Sequence, residues 1–79
     1  MRELDLRGET ASEALLDLDN FIDGALLSGI QMLTVIHGKG TGVRRKAVQK
    51  HLRRHPSVKS YRLGTFGEGE NGVTIVELK

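Results

Sequence analysis

Gln31-Met32-Leu33-Thr34-Val35-Ile36 runs straight into His37-Gly38-Lys39-Gly40-Thr41-Gly42. The first six residues are nearly continuously apolar and of strand length, the pattern of a central strand covered on at least one face. The next six alternate glycine with polar residues. A helical pattern follows at about residues 42–54, with Val43, Ala47, Val48 and Leu52 as its apolar positions. His55-Pro56 stops it, because the residue before a proline avoids the helical region. A strand that ends in a glycine turn and reopens as a helix begins a strand–helix–strand unit, so the chain reads as an α/β fold.

The same logic extends outward in both directions. Residues 3–7 (Glu3-Leu4-Asp5-Leu6-Arg7) alternate polar and apolar, which predicts a half-buried strand ended by Gly8. Thr10-Ala11-Ser12-Glu13 has the spacing of a capping box, and Ala14, Leu15, Leu18, Phe21, Ile22, Ala25 and Leu26 form one helical stripe after it. Ser28-Gly29 ends that helix. Residues 58–63 predict a third strand, residues 64–72 a loop with four glycines and an Asn71-Gly72 turn, and residues 73–78 a last strand. The order is strand–helix–strand–helix–strand–strand. Right-handed crossovers make the first three strands parallel, and a final hairpin adds an antiparallel one. The expected architecture is a two-layer α/β sandwich with a mixed four-stranded sheet, both helices on one face and part of the other face exposed.

Composition narrows the function. At 79 residues the chain reads as a single domain over residues 1–79. It has no cysteine, which excludes a disulfide framework, a thiolate nucleophile and a cysteine zinc site. No apolar run approaches the roughly 20 residues of a membrane span, and Met1-Arg2-Glu3-Leu4-Asp5 opens no secretory h-region, so the expected setting is cytoplasmic with no membrane partner. The net charge of +2 conceals an uneven map. Residues 1–30 carry seven acids against two cations, whereas residues 31–67 carry nine cations and no acid. Such a split adjoining a glycine turn points to a polyanion, here nucleic acid. Arg45, Lys46, Arg53 and Arg54 of the second helix are the expected footprint on phosphates. His51 and His55, on the same helix, read as surface residues.

Ligands of open α/β sheets gather outside the carboxyl ends of parallel strands. If the first two strands are neighbours, Asp5, Arg7, His37 and Lys39 converge there, and these four are the candidate catalytic residues. Gly38, Gly40 and Gly42 let the backbone approach an anion, with Thr41 as a hydroxyl donor or helix cap and Lys39 as a mobile charge. The spacing is neither a nucleotide P-loop nor a dinucleotide fingerprint. Arg7 is suited to clamp a phosphate. His37 is either a general acid or base or a structural histidine bonding the loop. Asp5 orients His37, binds a divalent cation or pairs with Arg7. Glu68 and Glu70 would complete a metal site only if their loop folds back. Of the three aromatics, Phe21 belongs to the core stripe, and Tyr61 and Phe66 are expected to pack in the core or loop rather than stack on bases.

Leu4-Asp5-Leu6-Arg7-Gly8, His37-Gly38-Lys39-Gly40-Thr41-Gly42 and Gly67-Glu68-Gly69-Glu70-Asn71-Gly72-Val73-Thr74 together resemble the three signature blocks of the small MutS-related (Smr) domain. Residues 55–64 and 72–79 look most like the Smr domain at the C-terminus of the bacterial MutS paralogue that lacks the mismatch-recognition domain. The resemblance covers essentially the whole chain. It implies an α/β sandwich that binds DNA or RNA and a nicking endonuclease activity, often with Mg2+ or Mn2+. It also implies fusion to a dimerising MutS-like ATPase, linked to suppression of recombination and, in some bacteria, to stalled ribosomes. The alternative is a binding module for DNA, RNA or the ribosome with no chemistry. By position, Asp5 and Arg7 match the first block and His37, Gly38, Lys39 and Gly40 the second. Two residues depart from the family pattern. Many stand-alone members have histidine where this chain has Arg7, and members often have leucine where it has Arg44. The second change is expected to add a cation beside the phosphate seat and to remove one core contact.

Overall fold

The computed structural model describes residues 2–79. In chain order they form β1 (Arg2–Asp5), α1 (Ala11–Leu27), β2 (Met32–Ile36), α2 (Val43–Arg54), β3 (Val58–Leu63), a short 3-10 turn (Glu70–Gly72) and β4 (Val73–Leu78). The sheet order is β1-β2-β4-β3. β1 and β2 pair in parallel, with Asp5 opposite Ile36, and β4 is antiparallel to both β2 and β3. The first three strands therefore do run the same way.

The position of β4 is the finding that sequence order did not give. It inserts between β2 and β3 instead of extending the edge. The cause lies in the side chains. β4 reads Val-Thr-Ile-Val-Glu-Leu and is buried on both faces, whereas β3 exposes Lys59, Ser60 and Arg62. The strand apolar on both sides gains most from a central place, and the charged one makes a safe edge.

Both helices pack on one face. Leu33, Val35, Val76 and Leu78 of the sheet meet Ala14, Leu18, Ile22 and Ala25 of α1 and Val48 and Leu52 of α2 in one core. Thr10 caps α1 as its spacing predicts: its hydroxyl accepts from the Glu13 N–H at 3.2 Å, and the Glu13 carboxylate accepts from the Thr10 N–H at 3.0 Å. Two stripe residues are exposed. Leu26 sits on the last turn of α1, and Val43, the first residue of α2, stands beside the glycine turn beyond the sheet; they are 39% and 66% exposed. On the helix-free face Thr34, Val73 and Ile75 are also buried.

Leu18 is fully buried at the centre of the helix layer. Leu18→Ala is expected to cost about 2–5 kcal/mol of stability, from lost transfer energy plus the cavity left behind. A urea titration checks this: the midpoint should fall with the slope unchanged.

Candidate nucleic-acid interface

Parallel pairing sets the ends of β1 and β2 side by side, and the Leu6 N–H continues the ladder to the Ile36 carbonyl at 2.8 Å. Because β4 lies next to β2, the loop before β4 folds back over the same end. The Gly72 carbonyl accepts from the N–H groups of His37 and Gly38 at 3.1 and 3.0 Å. Three segments meet there: residues 5–8, 37–42 and 68–72.

Strand alternation then sorts their side chains to opposite sides. His37 follows the parity of Leu33 and Val35, so its ring enters the interior and is 1% exposed. Its Nδ1 lies 3.0 Å from the Gly38 carbonyl and must donate to it. Its Nε2 lies 2.8 Å from the Thr74 hydroxyl, which also receives a hydrogen bond from the Gln49 amide at 3.3 Å. The network is satisfied by a neutral imidazole, with Thr74 donating to Nε2. Desolvation lowers the His37 pKa from the ordinary imidazole value, the nearby Arg45 and Arg44 charges act the same way, and the bond to Gly38 opposes them. Of the two roles open to His37, this geometry matches the structural one: both ring nitrogens are occupied and the ring is buried, so it holds the turn that carries Lys39. Thr74 and Gln49 were not read from the sequence as partners. The signal for Thr74 was there, a lone hydroxyl within the apolar run Val73-Thr74-Ile75-Val76.

Asp5 and Arg7 stand on the other side, exposed and paired with each other. Arg7 donates from Nε to Oδ1 at 3.0 Å and from Nη2 to Oδ2 at 2.7 Å, and its backbone N–H adds a third bond to Oδ1 at 3.0 Å. These hydrogen bonds hold the Asp5 carboxyl down to about 2. Asp5 thus pairs with Arg7 and does not orient His37. The stem of Arg7 lies over Gly38, whose φ of +88° suits glycine and where a Cβ would touch the Arg7 Cγ at 3.5 Å. Lys39 reaches the Glu70 carboxylate at 3.1 Å. Arg7, Gly38 and Lys39 border a groove of about 450 Å³ on the helix-free face, with Ile36, Val73 and Gly72 also lining it.

A smaller cavity of about 220 Å³ opens on the helix side, between the first residues of α1 and the turn of residues 37–45. Gly40, Thr41 and Gly42 line it. Gly42 precedes α2 without a side-chain cap, and the Thr41 hydroxyl accepts from the Val43 N–H at a long 3.4 Å. Amides of such a first turn favour anions. Arg44 is placed otherwise than expected. Its Nε and Nη2 donate to the Glu9 carbonyl at 3.1 and 2.9 Å, and its Nη1 to the His37 carbonyl at 3.2 Å. It ties the β1–α1 loop to the β2–α2 turn and is spent on main chain instead of being free for phosphate. Arg45 packs over Gly42, its Nη2 within 2.8 Å of where a Cβ would stand. Among the described residues, Arg45, Lys46, Arg53 and Arg54 form no ion pair, whereas His51 contacts Asp19 of α1 at 2.7 Å. The four expected catalytic residues thus share one edge of the sheet but not one pocket: Arg7 and Lys39 line the groove, Asp5 is paired with Arg7 outside its lining, and His37 lines the cavity on the helix side.

Loop 64–72 does fold back, yet it delivers Glu70 to Lys39 and not to a metal. Among the described residues no group of three or more His, Asp or Glu side chains is gathered to hold a metal ion. Asp5, the candidate ligand, gives both oxygens to a guanidinium. These donors do not fit a resident Mg2+ or Mn2+. No helix among the described residues is long and apolar enough to cross a membrane.

A two-layer α/β domain with a cationic glycine turn at the ends of two parallel strands is the class these features define. The Smr domain family model matches residues 4–79, and the chain belongs to that family. It is 58% identical over 96% of its length to a protein named Endonuclease MutS2 from Caldicellulosiruptor saccharolyticus, and also 58% identical over 96% to one of that name from Clostridium novyi; it covers 10% of each. The chain therefore spans about a tenth of the length of these curated relatives. Its structure superposes on the crystal structure of the Smr domain of Thermus thermophilus MutS2 with a TM-score of 0.98 at 44% identity, covering 100% of this chain and 99% of the other. YdaL, a stand-alone small MutS-related protein from Escherichia coli, matches with a TM-score of 0.92 at 26% identity, covering 98% and 63%.

A buried neutral His37 makes stability depend on pH. The unfolded ring takes up a proton near the ordinary value of 6.5, while the folded ring resists until lower pH. Its contribution is therefore complete above that value and is lost as the pH falls below it. Unfolding free energies of wild type and His37→Gln, compared across that range, should converge towards the acid side. Thr74→Val, which strips the Nε2 partner, should cost about 1–3 kcal/mol at neutral pH.

Proposed function

We propose that this domain grips the sugar–phosphate backbone of DNA or RNA and nicks it at the groove beside Gly38. The observation that carries the reading is the pair Arg7 and Lys39, standing on either side of a glycine turn, each held only by an exposed carboxylate. Exposed ion pairs are weak, so a phosphate with bidentate geometry can take their place. Arg7 then takes the phosphate oxygens, Lys39 supplies a point charge, and both stabilise the charge that develops as a phosphodiester bond breaks. Water forms the new P–O bond as the bond from phosphorus to one sugar oxygen breaks. Asp5, released from Arg7, accepts a hydrogen bond from that water and orients it. The water's proton passes to solvent, and the departing sugar oxygen takes a proton from solvent. His37 acts as a positioning residue through the turn. The unpaired cations of α2 follow neighbouring phosphates without reading bases. The name Endonuclease MutS2 borne by relatives supports the reading.

The second reading is a binding module without chemistry, and one observation favours it. The histidine on this edge is enclosed, and the exposed carboxylate, Asp5, is held to about 2 and so is a poor base at neutral pH. In either reading the domain places a larger protein on its target. We propose that this protein includes a dimerising MutS-like ATPase acting on recombining DNA or on ribosomal RNA of stalled ribosomes.

Two measurements test this. Wild type is expected to convert supercoiled plasmid to the nicked form, and Arg7→Glu and Lys39→Glu to lose that conversion; wild type that leaves the plasmid intact refutes the nuclease reading and leaves the binding module. Reversing Arg53 and Arg54 should weaken binding uniformly across sequences and lower the salt slope by about one for each phosphate contact removed. Because no resident metal is assigned, a chelator should leave that binding unchanged.

A further inference from the structure

Phe66 is 93% exposed, contrary to the packing expected of it. It stands at the tip of a tight turn over residues 65–68, closed by the Glu68 N–H donating to the Thr65 carbonyl at 2.9 Å. Gly67 follows it with a φ of +88°, the left-handed geometry a type II turn needs. The turn is pinned from below. One Glu68 oxygen accepts from the Thr65 N–H at 2.9 Å and its hydroxyl at 2.8 Å, and Arg62 donates to both Glu68 oxygens at 2.8 and 3.1 Å. Five polar contacts thus hold a loop whose tip presents a bare aromatic ring to water. Two residues further on, Glu68 and Gly69 line the groove bordered by Arg7 and Lys39.

We infer that Phe66 and this groove form a nucleobase site, in which an unpaired base of the bound strand stacks on the ring or enters the groove while its phosphate rests on Arg7 and Lys39. The inference rests on the nucleic-acid reading above and narrows its substrate class. The groove's volume, about 450 Å³, is that of a small-ligand pocket, and its apolar floor of Ile36 and Val73 suits a base face. Glu3, at its wall, can accept from an exocyclic amino group. Arg7 and Lys39 offer cations to the phosphate once it replaces their carboxylate partners, Ile36 and Val73 offer apolar surface to the base, and Glu68 shares the lining with Glu3. A paired base is already stacked in its duplex and cannot reach the ring. The domain therefore selects single-stranded, gapped or unpaired segments, while α2 binds the backbone of any strand.

The test uses the 79-residue chain with a dye-labelled single-stranded DNA oligonucleotide, its RNA equivalent and the perfect DNA duplex. Wild type should favour at least one single strand over the duplex. Phe66→Ala should lower that single-strand affinity roughly 5- to 150-fold, as loss of one stacked base does. Duplex affinity should stay unchanged, and Phe66→Trp should restore single-strand binding. The DNA and RNA arms show which backbone the site prefers. Since Phe66 contributes no core contact, the thermal midpoint of Phe66→Ala should match wild type. Unaltered single-strand binding by Phe66→Ala, or an equal loss on duplex, overturns the base site. The reading beneath it fails separately: if reversing Arg53 and Arg54 leaves duplex affinity intact, or if no probe binds, the backbone grip itself is refuted.

Discussion

One carbonyl oxygen organises this site. Gly72 accepts from the N–H groups of both His37 and Gly38, and so joins the turn after β2 to the loop before β4. Its neighbours in sequence then acquire partners at fixed offsets. Two residues on, Thr74 meets the His37 ring; two residues back, Glu70 meets Lys39. Gly72 itself leaves room for the Lys39 stem, since a Cβ there would stand 3.0 Å from the Lys39 Cγ. The arrangement exists only because β4 pairs with β2 directly. Had β4 stayed outside β3, the loop would lie a strand's width from the turn, and Lys39 would have no counter-ion and His37 no hydroxyl.

Much of this was legible in local patterns. The capping box at Thr10, the apolar run of residues 32–36 and the proline stop after α2 each have a local cause, and each appears where its spacing places it. The parallel direction of the first two strands followed from the helical crossover; that they are neighbours, which brings residues 5–8 beside residues 37–42, was a condition of the sequence reading that the sheet order meets. The strand order did not, because hairpin connectivity permits β4 on either side of β3. Burial decides between them, and burial is a property of the assembled sheet. The composition of β4 held the clue: only one polar residue, Thr74, precedes Glu77 in a strand buried on both faces.

The fate of His37 was also readable in principle. Leu33, Val35 and His37 share parity, so a ring that continues β2 must turn towards the helices, while Asp5, level with Ile36, turns away. Arg44 is a different case. Its guanidinium answers the carbonyls of Glu9 and His37, whose positions depend on how two loops approach each other. No spacing in the sequence encodes that approach. A planar fork bonds both loops, and the expected loss of a core contact is met by three hydrogen bonds.

The cations therefore divide into two populations with different physics. Arg45, Lys46, Arg53 and Arg54 of α2 form no ion pair among the described residues, and their field extends about a Debye length, roughly 8–10 Å in ordinary salt. In the proposed reading they would recruit a polyanion without selecting among polyanions. Arg7 and Lys39 are neutralised at short range by Asp5 and Glu70, so they project little field until something replaces those carboxylates. Replacement is favourable only for an anion that satisfies Arg7 as well as Asp5 does, with two oxygens in the plane of the guanidinium, and that lies within reach of Lys39 as well. In the proposed reading a phosphodiester carried in by α2 would meet both conditions at high local concentration, which a free anion in bulk solution lacks. In the proposed reading, the placement of Asp5 beside Arg7 means that the exchange that seats the phosphate also uncovers a carboxylate next to it.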